Sequence, residues 1–153
     1  MRRGTAGTQL AFRTAGPRRI ADIDARAPDV SPDGRLLAFI SLSAANELEI
    51  VVCDLTDCAG QRRFSPPGLA EPISRASAIR FTPDQAAIAY VNTIAPSNIW
   101  LQPLDGSRAR PLTDFTDDLS IFDFAWSGDG QRLAISRGRV STDIVLFSDF
   151  LSN

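Results

Sequence analysis

Residues 124–135 read FAWSGDGQRLAI, two apolar segments on either side of a Ser-Gly-Asp-Gly turn. The pattern predicts a β-strand, a tight turn and a second β-strand, because Asp accepts hydrogen bonds from nearby backbone and Gly tolerates a positive φ. It occurs twice more, as PDVSPDGRLLAF at 28–39 and IRFTPDQAAIAY at 79–90. The three turn aspartates are 51 and 45 residues apart, a period typical of stacked units such as the four-stranded blades of propellers.

Further strand-like segments follow each turn at matching distances. An isoleucine in the third strand of each unit, Ile50, Ile99 and Ile144, stands 17, 15 and 15 residues after its turn aspartate. The strands predicted for the three units are one ending at Val30, then 36–40, 48–53 and 62–64; 78–81, 86–91, 98–102 and 110–113; and 121–126, 132–136 and 143–147. Two more strands are predicted within 8–23.

These strands predict an all-β fold, a β-propeller segment of about three four-stranded antiparallel blades. Residues 1–23 are predicted to form the last two strands of an incomplete blade. Residues 24–70 and 71–117 are predicted to form one blade each, and 118–153 a blade that lacks its outer strand. The fold is therefore expected to be a partial propeller.

The composition is that of an ordinary globular domain. The chain has 153 residues, 44% of them hydrophobic, and a net charge of −2, so no electrostatic field drives it onto nucleic acid or anionic lipid. Its apolar runs are too short to span a membrane. The basic N-terminus lacks an apolar region after it, so we expect no signal peptide. The sequence does not determine the compartment: a cytoplasmic location is the default, and a periplasmic one is left open if the chain belongs to a longer protein.

Two residue types are absent, and their absence bears on catalysis. The chain has no His, and all sixteen basic residues are Arg. Without His the most common general base and metal ligand is missing, and without Lys there is no phosphate-loop or Schiff-base lysine. We therefore predict no enzyme activity, no catalytic residues and no metal or other cofactor. The preference for Arg over Lys is typical of GC-rich bacterial coding.

The repeats resemble the WD40-like repeats of TolB-type β-propellers, whose signature is an aromatic residue, Ser-Pro-Asp-Gly, a basic residue and a hydrophobic strand. The signature is complete at 31–34 and partial at 82–85 and 127–130. The closing stretch, 122–150, also resembles the last blade of propellers at the C-termini of bacterial serine/threonine kinases and winged-helix regulators. That resemblance implies a sensory or docking module. Prolyl oligopeptidases carry a similar propeller, but their Ser-His-Asp machinery has no counterpart here.

Ring closure admits three interpretations. Known propellers have about four to eight blades, so this segment does not close a ring in the usual way. The first is that the chain is the C-terminal part of a larger protein or a shortened gene product. The second is one half of a homodimer that completes a ring of about six or seven blades, and the third is an open array with exposed edges.

Several groups of residues are candidate sites. Asp33, Asp84 and Asp129 resemble acidic ligands, although an Asp in such a turn is typically bound to local backbone. Residues 113–118 contain three carboxylates that suit calcium but follow no recognised loop pattern. Residues 137–139, Arg-Gly-Arg, suit an anionic partner or a solvated loop.

Aromatic and sulfur-containing residues provide two further candidates. Trp100, Phe122, Phe124 and Trp126 would serve either as a stacking platform or as packing between blades. Alternation along 121–126 predicts that its three aromatic side chains share one side of the strand. Cys53 and Cys58 flank a predicted turn, where a small disulfide and two free thiols are both compatible with the sequence.

The sequence favours a non-catalytic interaction or sensory module that binds an unidentified protein partner. The alternatives are a non-catalytic part of a bacterial kinase or hydrolase, and a propeller that binds a small ligand or sugar. No single set of binding residues can be assigned from the sequence.

Overall fold

The computed structural model describes residues 25–69 and 78–139, and every regular element in these two ranges is a β-strand. The strands are β1 (Arg26–Val30), β2 (Leu36–Leu42), β3 (Leu48–Asp54), β4 (Arg62–Phe64), β5 (Ile79–Phe81), β6 (Ala87–Asn92), β7 (Asn98–Pro103), β8 (Arg110–Pro111), β9 (Ser120–Trp126) and β10 (Leu133–Gly138). The described ranges contain no helix that could cross a membrane.

The strands form three antiparallel sheets in chain order: β1-β2-β3-β4, β5-β6-β7-β8 and the pair β9-β10. We call these the first, second and third sheets. Each strand predicted within the described ranges is present, which confirms the all-β, blade-like architecture. The strands predicted within 8–23 and at 143–147 lie outside the described residues, and the proposed blade boundaries stay predictions.

β8 is shorter than the predicted strand 110–113. The reason lies at Ile99, whose backbone N–H donates to the Thr113 hydroxyl at 2.9 Å instead of to a backbone carbonyl. The N–H groups of Leu112 and Thr113 both turn to the Ile99 carbonyl, at 2.8 and 3.3 Å. The Thr113 hydroxyl thus takes the place of the backbone acceptor that would have made the last β7–β8 hydrogen bond.

The sheets pack face to face. Along each central strand, alternate side chains point to opposite faces of the sheet and so contact different neighbouring sheets. One apolar cluster lies between the first and second sheets and includes Ala38, Ile40, Ile88, Tyr90 and Trp100. A second cluster lies between the second and third sheets and includes Ala89, Val91, Ile99, Ile121 and Phe124. β6 and β7 therefore contribute side chains to both interfaces, which explains the continuous apolar run Ala87 to Val91 in β6 and Ile99 to Leu101 in β7.

The alternation predicted for 121–126 is wrong at Phe122. The pairing of β9 with β10 shifts between Ser136 and Arg137, so that Asp123 lies opposite Ser136 but Ile121 lies opposite Arg137. This bulge inserts Phe122 as an extra residue and reverses the facing of the residues before it. Ile121 packs in the second apolar cluster instead, and Phe122 lies against Gly138.

The antiparallel order gives the sheets two distinct ends. The turn end holds the three Asp-containing turns, 31–34, 82–85 and 127–130. The loop end, opposite to it, holds the loop 93–97 between β6 and β7 and the connection 112–119 between the second and third sheets.

Candidate functional site

Asn98 organises the loop end of the second sheet. Its side-chain oxygen accepts hydrogen bonds from the Phe115 backbone N–H (2.7 Å) and the Thr113 hydroxyl (2.8 Å). Its amide nitrogen donates to the carbonyls of Phe115 (3.0 Å) and Pro96 (3.3 Å). Both donor hydrogens and both lone pairs of this buried amide are thus used. The loop 93–97 and the connection 112–119 are held together at one point.

The fixed connection places Phe115 beneath Arg137. The guanidinium carbon of Arg137 lies 3.4 Å from the centroid of the Phe115 ring, a cation–π contact. Arg137 Nη2 also donates to Asp117 Oδ1 at 2.6 Å. The Arg137 side chain is only 18% exposed, and its buried Nε has no hydrogen-bond partner among the residues that the structure describes. Arg137 is therefore held rigidly at the junction of the second and third sheets.

A second ion pair lies beside the first and is open to solvent. Arg139 Nη2 contacts Asp118 Oδ1 at 2.5 Å, with side chains 69% and 73% exposed. The hydrogen bond and charge of Arg139 lower the pKa of Asp118, and Asp118 raises the pKa of Arg139. Exposed pairs of this kind contribute little to stability, since water competes for both partners.

The structure thus joins two candidates that the sequence presented separately. The carboxylates in 113–118 face the arginines in 137–139, and two of the three acids are bonded to them. These acids neutralise arginines rather than converging on a cation. Within the described ranges, no three acidic, Cys or His side chains cluster as metal ligands would.

Exposed apolar side chains lie at the same end. Of the three large apolar side chains that are exposed in the described residues, Ile94 (59%) and Leu112 (38%) are at the loop end. The loop-end patch is defined here by Ile94, Leu112, Phe115, Asp117, Asp118, Arg137 and Arg139. It combines apolar, aromatic and charged groups on a backbone fixed by Asn98.

The three turn aspartates are bound within their own turns. Asp33 accepts from the Ser31 hydroxyl and the Arg35 N–H, and the same two contacts recur at the other turns for Asp84 and Asp129. The neighbouring hydroxyl, followed by the backbone N–H, lowers the pKa of each carboxyl. These contacts assign the aspartates a role in the turns.

The four candidate aromatic residues are not on one surface. Trp100 packs against the cluster between the first and second sheets, whereas Phe124 and Trp126 pack between the second and third. Phe122 lies over Gly138. Their positions fit packing between blades better than a shared stacking platform.

Cys53 and Cys58 are joined by a disulfide, with Cα atoms 4.8 Å apart. Both residues are buried, beside Phe39 and Val51. The bond closes the turn between β3 and β4. Of the two states that the sequence left open, the structure has the bridged one.

Sequence reasoning missed Asn98, which positions the patch. A weak signal was available, since Asn98 occupies the same place relative to Ile99 as Glu49 does relative to Ile50. Glu49 is also a buried polar residue, and it pairs with Arg63 at 3.0 Å. A polar residue at the start of the third strand is thus a repeated feature, but its partner differs between sheets.

Comparison with known proteins bears on the fold. No protein-family model matches the chain, and no curated protein matches it significantly. Among solved structures, TolB from Acinetobacter baumannii matches 74% of this chain at 25% identity with a TM-score of 0.55. The fold is that of a TolB-like propeller segment. A putative TolB from Agrobacterium tumefaciens agrees, matching 72% of this chain at 23% identity with a TM-score of 0.50.

The matches cover only part of the longer proteins. The chain spans 26% and 37% of the two TolB chains. An acylaminoacyl peptidase from Pyrococcus horikoshii also matches, over 82% of this chain and 19% of its own length at 22% identity, with a TM-score of 0.49. That weaker likeness carries no argument about this chain. The TolB-like fold expected from the repeats is confirmed, whereas the resemblance to kinase and regulator propellers stays a prediction.

Proposed function

We propose that this chain is a non-catalytic propeller module that binds a partner protein through the loop-end patch. The TolB-like fold supports a scaffold that presents loops at the ends of its blades. In the patch, the exposed side chains of Ile94 and Leu112 lie at the same end of the sheets as the partly buried, stacked pair of Phe115 and Arg137.

The observation that carries the proposal is the stacking of Arg137 on Phe115, with the backbone of Phe115 held by Asn98. Arginine and aromatic residues are enriched at binding hot spots, where rigid side chains lose little entropy on association. Ile94 and Leu112 supply exposed apolar area at the same end. A partner that covers Ile94 and Leu112 would gain hydrophobic free energy without unfolding any part of the patch.

The Arg139–Asp118 pair supplies exchangeable charge at the rim. Both side chains are largely exposed, so a partner's carboxylate or guanidinium can replace either member at small cost. Rim charges of this type mainly set association rate and partner choice. The expected partner surface therefore carries an apolar anchor with charged groups beside it.

The test compares proteins captured by three forms of the chain: wild type, a charge-swapped Asp118→Arg/Arg139→Asp variant, and Arg35→Glu at the turn end as a control. The swap keeps an ion pair within the chain but reverses the charges that a partner meets. A protein retained by wild type and Arg35→Glu, lost with the swap, and binding the purified chain on titration would support the proposal. Equal retention by all three forms would contradict it.

The disulfide suggests where the module works. Disulfides persist in oxidising compartments and are rare in the reducing cytosol, and Cys53 and Cys58 are bridged. We therefore propose a periplasmic or extracellular location rather than the default cytoplasmic one. Trapping of thiols in intact producing cells tests this: unreactive cysteines are expected, and reactive ones would favour the cytosol.

A further inference from the structure

Each sheet presents one face to the sheet that follows it, and the repeat fixes which residues lie there. This forward face is formed by the residues three, five and seven positions after each turn aspartate, which lie at or along the second strand of the sheet. In the first sheet they are Leu36, Ala38 and Ile40, which pack against the second sheet. In the second sheet they are Ala87, Ala89 and Val91, which pack against the third.

The third sheet breaks this pattern. Its equivalent positions are occupied by Arg132, Ala134 and Ser136, and all three side chains are exposed. Polar or short residues thus replace Leu36 and Ile40 at the two flanking positions. A face of this composition gains little hydrophobic free energy from being covered. Arg132 pairs with Asp129 at 3.8 Å with its side chain 84% exposed, so covering this face would strip water from that ion pair.

The inner strand shows the same change. Asp29 of β1 and Arg80 of β5 stand four residues before their turn aspartates, and each reaches the next sheet. Asp29 accepts from the Phe81 N–H at 2.8 Å, and Arg80 pairs with Asp123 at 3.3 Å. The equivalent residue of β9 is Ala125, which is exposed and has no polar group with which to reach forward.

The turns provide a third comparison. Gln85 of the second turn contacts Asp33 of the first, its amide nitrogen donating at 2.9 and 3.2 Å in the orientation that satisfies both side chains. Gly130 of the third turn lies so close to Pro83 that an added Cβ would be 2.6 Å from the proline Cβ. The third turn has Gly128 where the second has Pro83, so it offers no side chain there for a following turn.

We infer that the forward face of β9 and β10 is an end cap, a surface adapted to water, and that a second copy of this chain does not pack a blade against it. Terminal units of repeat proteins carry polar outer faces for the same reason, since an apolar outer face would recruit further units. In a homodimer that completes a ring, each chain would have to pack a blade against the forward face of the other chain's third sheet. The end cap therefore favours association with a different protein at the loop end over closure of a ring by two copies.

A single engineered thiol tests the inference directly, because both native cysteines are in the disulfide. Ser136→Cys places a thiol on the forward face, and Ser65→Cys places one at an exposed control position. We expect both to react with a polar thiol reagent at rates equal within about twofold, in dilute and in concentrated protein. The end cap would be overturned if the thiol of Ser136→Cys became more protected as the protein concentration rises while the thiol of Ser65→Cys did not.

A second variant asks whether the polar side chains keep the face open. Arg132→Leu with Ser136→Ile gives the third sheet the residues found at these positions in the first. We expect the solution mass to rise about twofold or more with concentration. The control, Arg108→Leu with Ser65→Ile, makes the same two kinds of substitution at exposed positions away from this face and from the loop-end patch and should leave the mass unchanged. A face variant that behaves like this control would overturn the inference.

Failure of the end cap and failure of the proposed function are distinguishable. The thiol and mass experiments report only on the forward face of the third sheet, whereas the capture experiment reports on the loop-end patch. Either result can hold without the other.

Discussion

The Asp29 carboxylate accepts a hydrogen bond from the backbone N–H of Phe81, 2.8 Å away in the next sheet. The donor lies on the inner edge of β5, the side that does not pair with β6. An inner strand edge is a row of polar groups that needs partners. Asp29 supplies one of them and also joins the first two sheets across their innermost strands.

Removal of this carboxylate should weaken the junction between the first two sheets. Asp29→Ala should lower the free energy of unfolding by about 1–3 kcal/mol, since it leaves the Phe81 N–H without its acceptor. Asp29→Asn keeps a neutral acceptor and should cost less. Urea denaturation of the three forms measures the difference, and an alanine variant as stable as wild type would show that the contact is energetically unimportant.

Asn98 should be the most sensitive residue of the loop end. Asn98→Ala removes four hydrogen bonds, including those that its side chain makes to the Phe115 backbone N–H and C=O. We expect the free energy of unfolding to fall by about 1–3 kcal/mol or more, and we expect the Arg137–Phe115 stacking to be lost. Thr113→Val removes two hydrogen bonds, from the Thr113 hydroxyl to Asn98 and from the Ile99 N–H to that hydroxyl. It keeps both Asn98 contacts to the Phe115 backbone, so it should lower stability but leave the Arg137–Phe115 stacking in place.

Fluorescence does not isolate Phe115, so NMR of the Phe115 ring protons is the measurement for the stacking. In wild type they should show the influence of the overlying guanidinium, which Asn98→Ala should remove. Unchanged ring signals in this variant would mean that Asn98 does not position the patch.

The turn glycines allow sterics and backbone strain to be separated. Gly130 and Gly34 both have positive φ, 69° and 71°, but an added Cβ meets Pro83 only at Gly130. Gly34→Ala should cost about 1–2 kcal/mol from backbone strain alone, and Gly130→Ala should cost more. Gly128→Ala, with open space and no positive φ, should be nearly neutral. Equal losses at Gly130 and Gly34 in thermal unfolding would contradict the contact between turns.

The serine of the third turn should control the acidity of Asp129. The Ser127 hydroxyl is the first cause of the lowered pKa of Asp129, so Ser127→Ala should raise that pKa toward its ordinary value. A depressed folded-state pKa stabilises the fold above the unfolded-state pKa, and this contribution is lost as the pH falls through the folded value. As the pH falls below about 4, the free energy of unfolding of the variant should therefore decrease less than that of wild type.

NMR titration of the Asp129 carboxyl measures this shift. Ser120→Ala, at an exposed position outside the turn, is the control and should leave the pKa of Asp129 unchanged. If the pKa of Asp129 were identical in Ser127→Ala and in wild type, the Ser127 hydroxyl would not be what lowers it.

Local features of this fold were readable from the sequence, and long-range ones were not. The turns and strands follow from short patterns, such as Ser31 to Gly34 and the apolar run of β2, so their positions were predicted closely. The facing of Phe122 was predicted wrongly, because the bulge depends on how β9 pairs with β10. No pattern within β9 itself indicates an extra residue.

The candidate site illustrates the same limit. The acids of 113–118 and the arginines of 137–139 were each visible as charged groups, but the pairs they form join residues 20 and 21 positions apart. Only the packing of the third sheet on the second brings them together. Asn98 was recognisable as part of a strand, yet its four hydrogen bonds reach three residues in two separate loops.

Site-specific photo-crosslinking in the cells that produce the protein shows whether a partner contacts the loop-end patch. A photoreactive amino acid is placed at Ile94, within the loop-end patch, and in a second strain at Arg35, at the turn end. We expect a discrete crosslinked protein partner from position 94 and none from position 35, with the crosslink lost in the Asp118→Arg/Arg139→Asp background. Absence of a crosslink from position 94, or an identical product from both positions, would contradict binding through the loop-end patch.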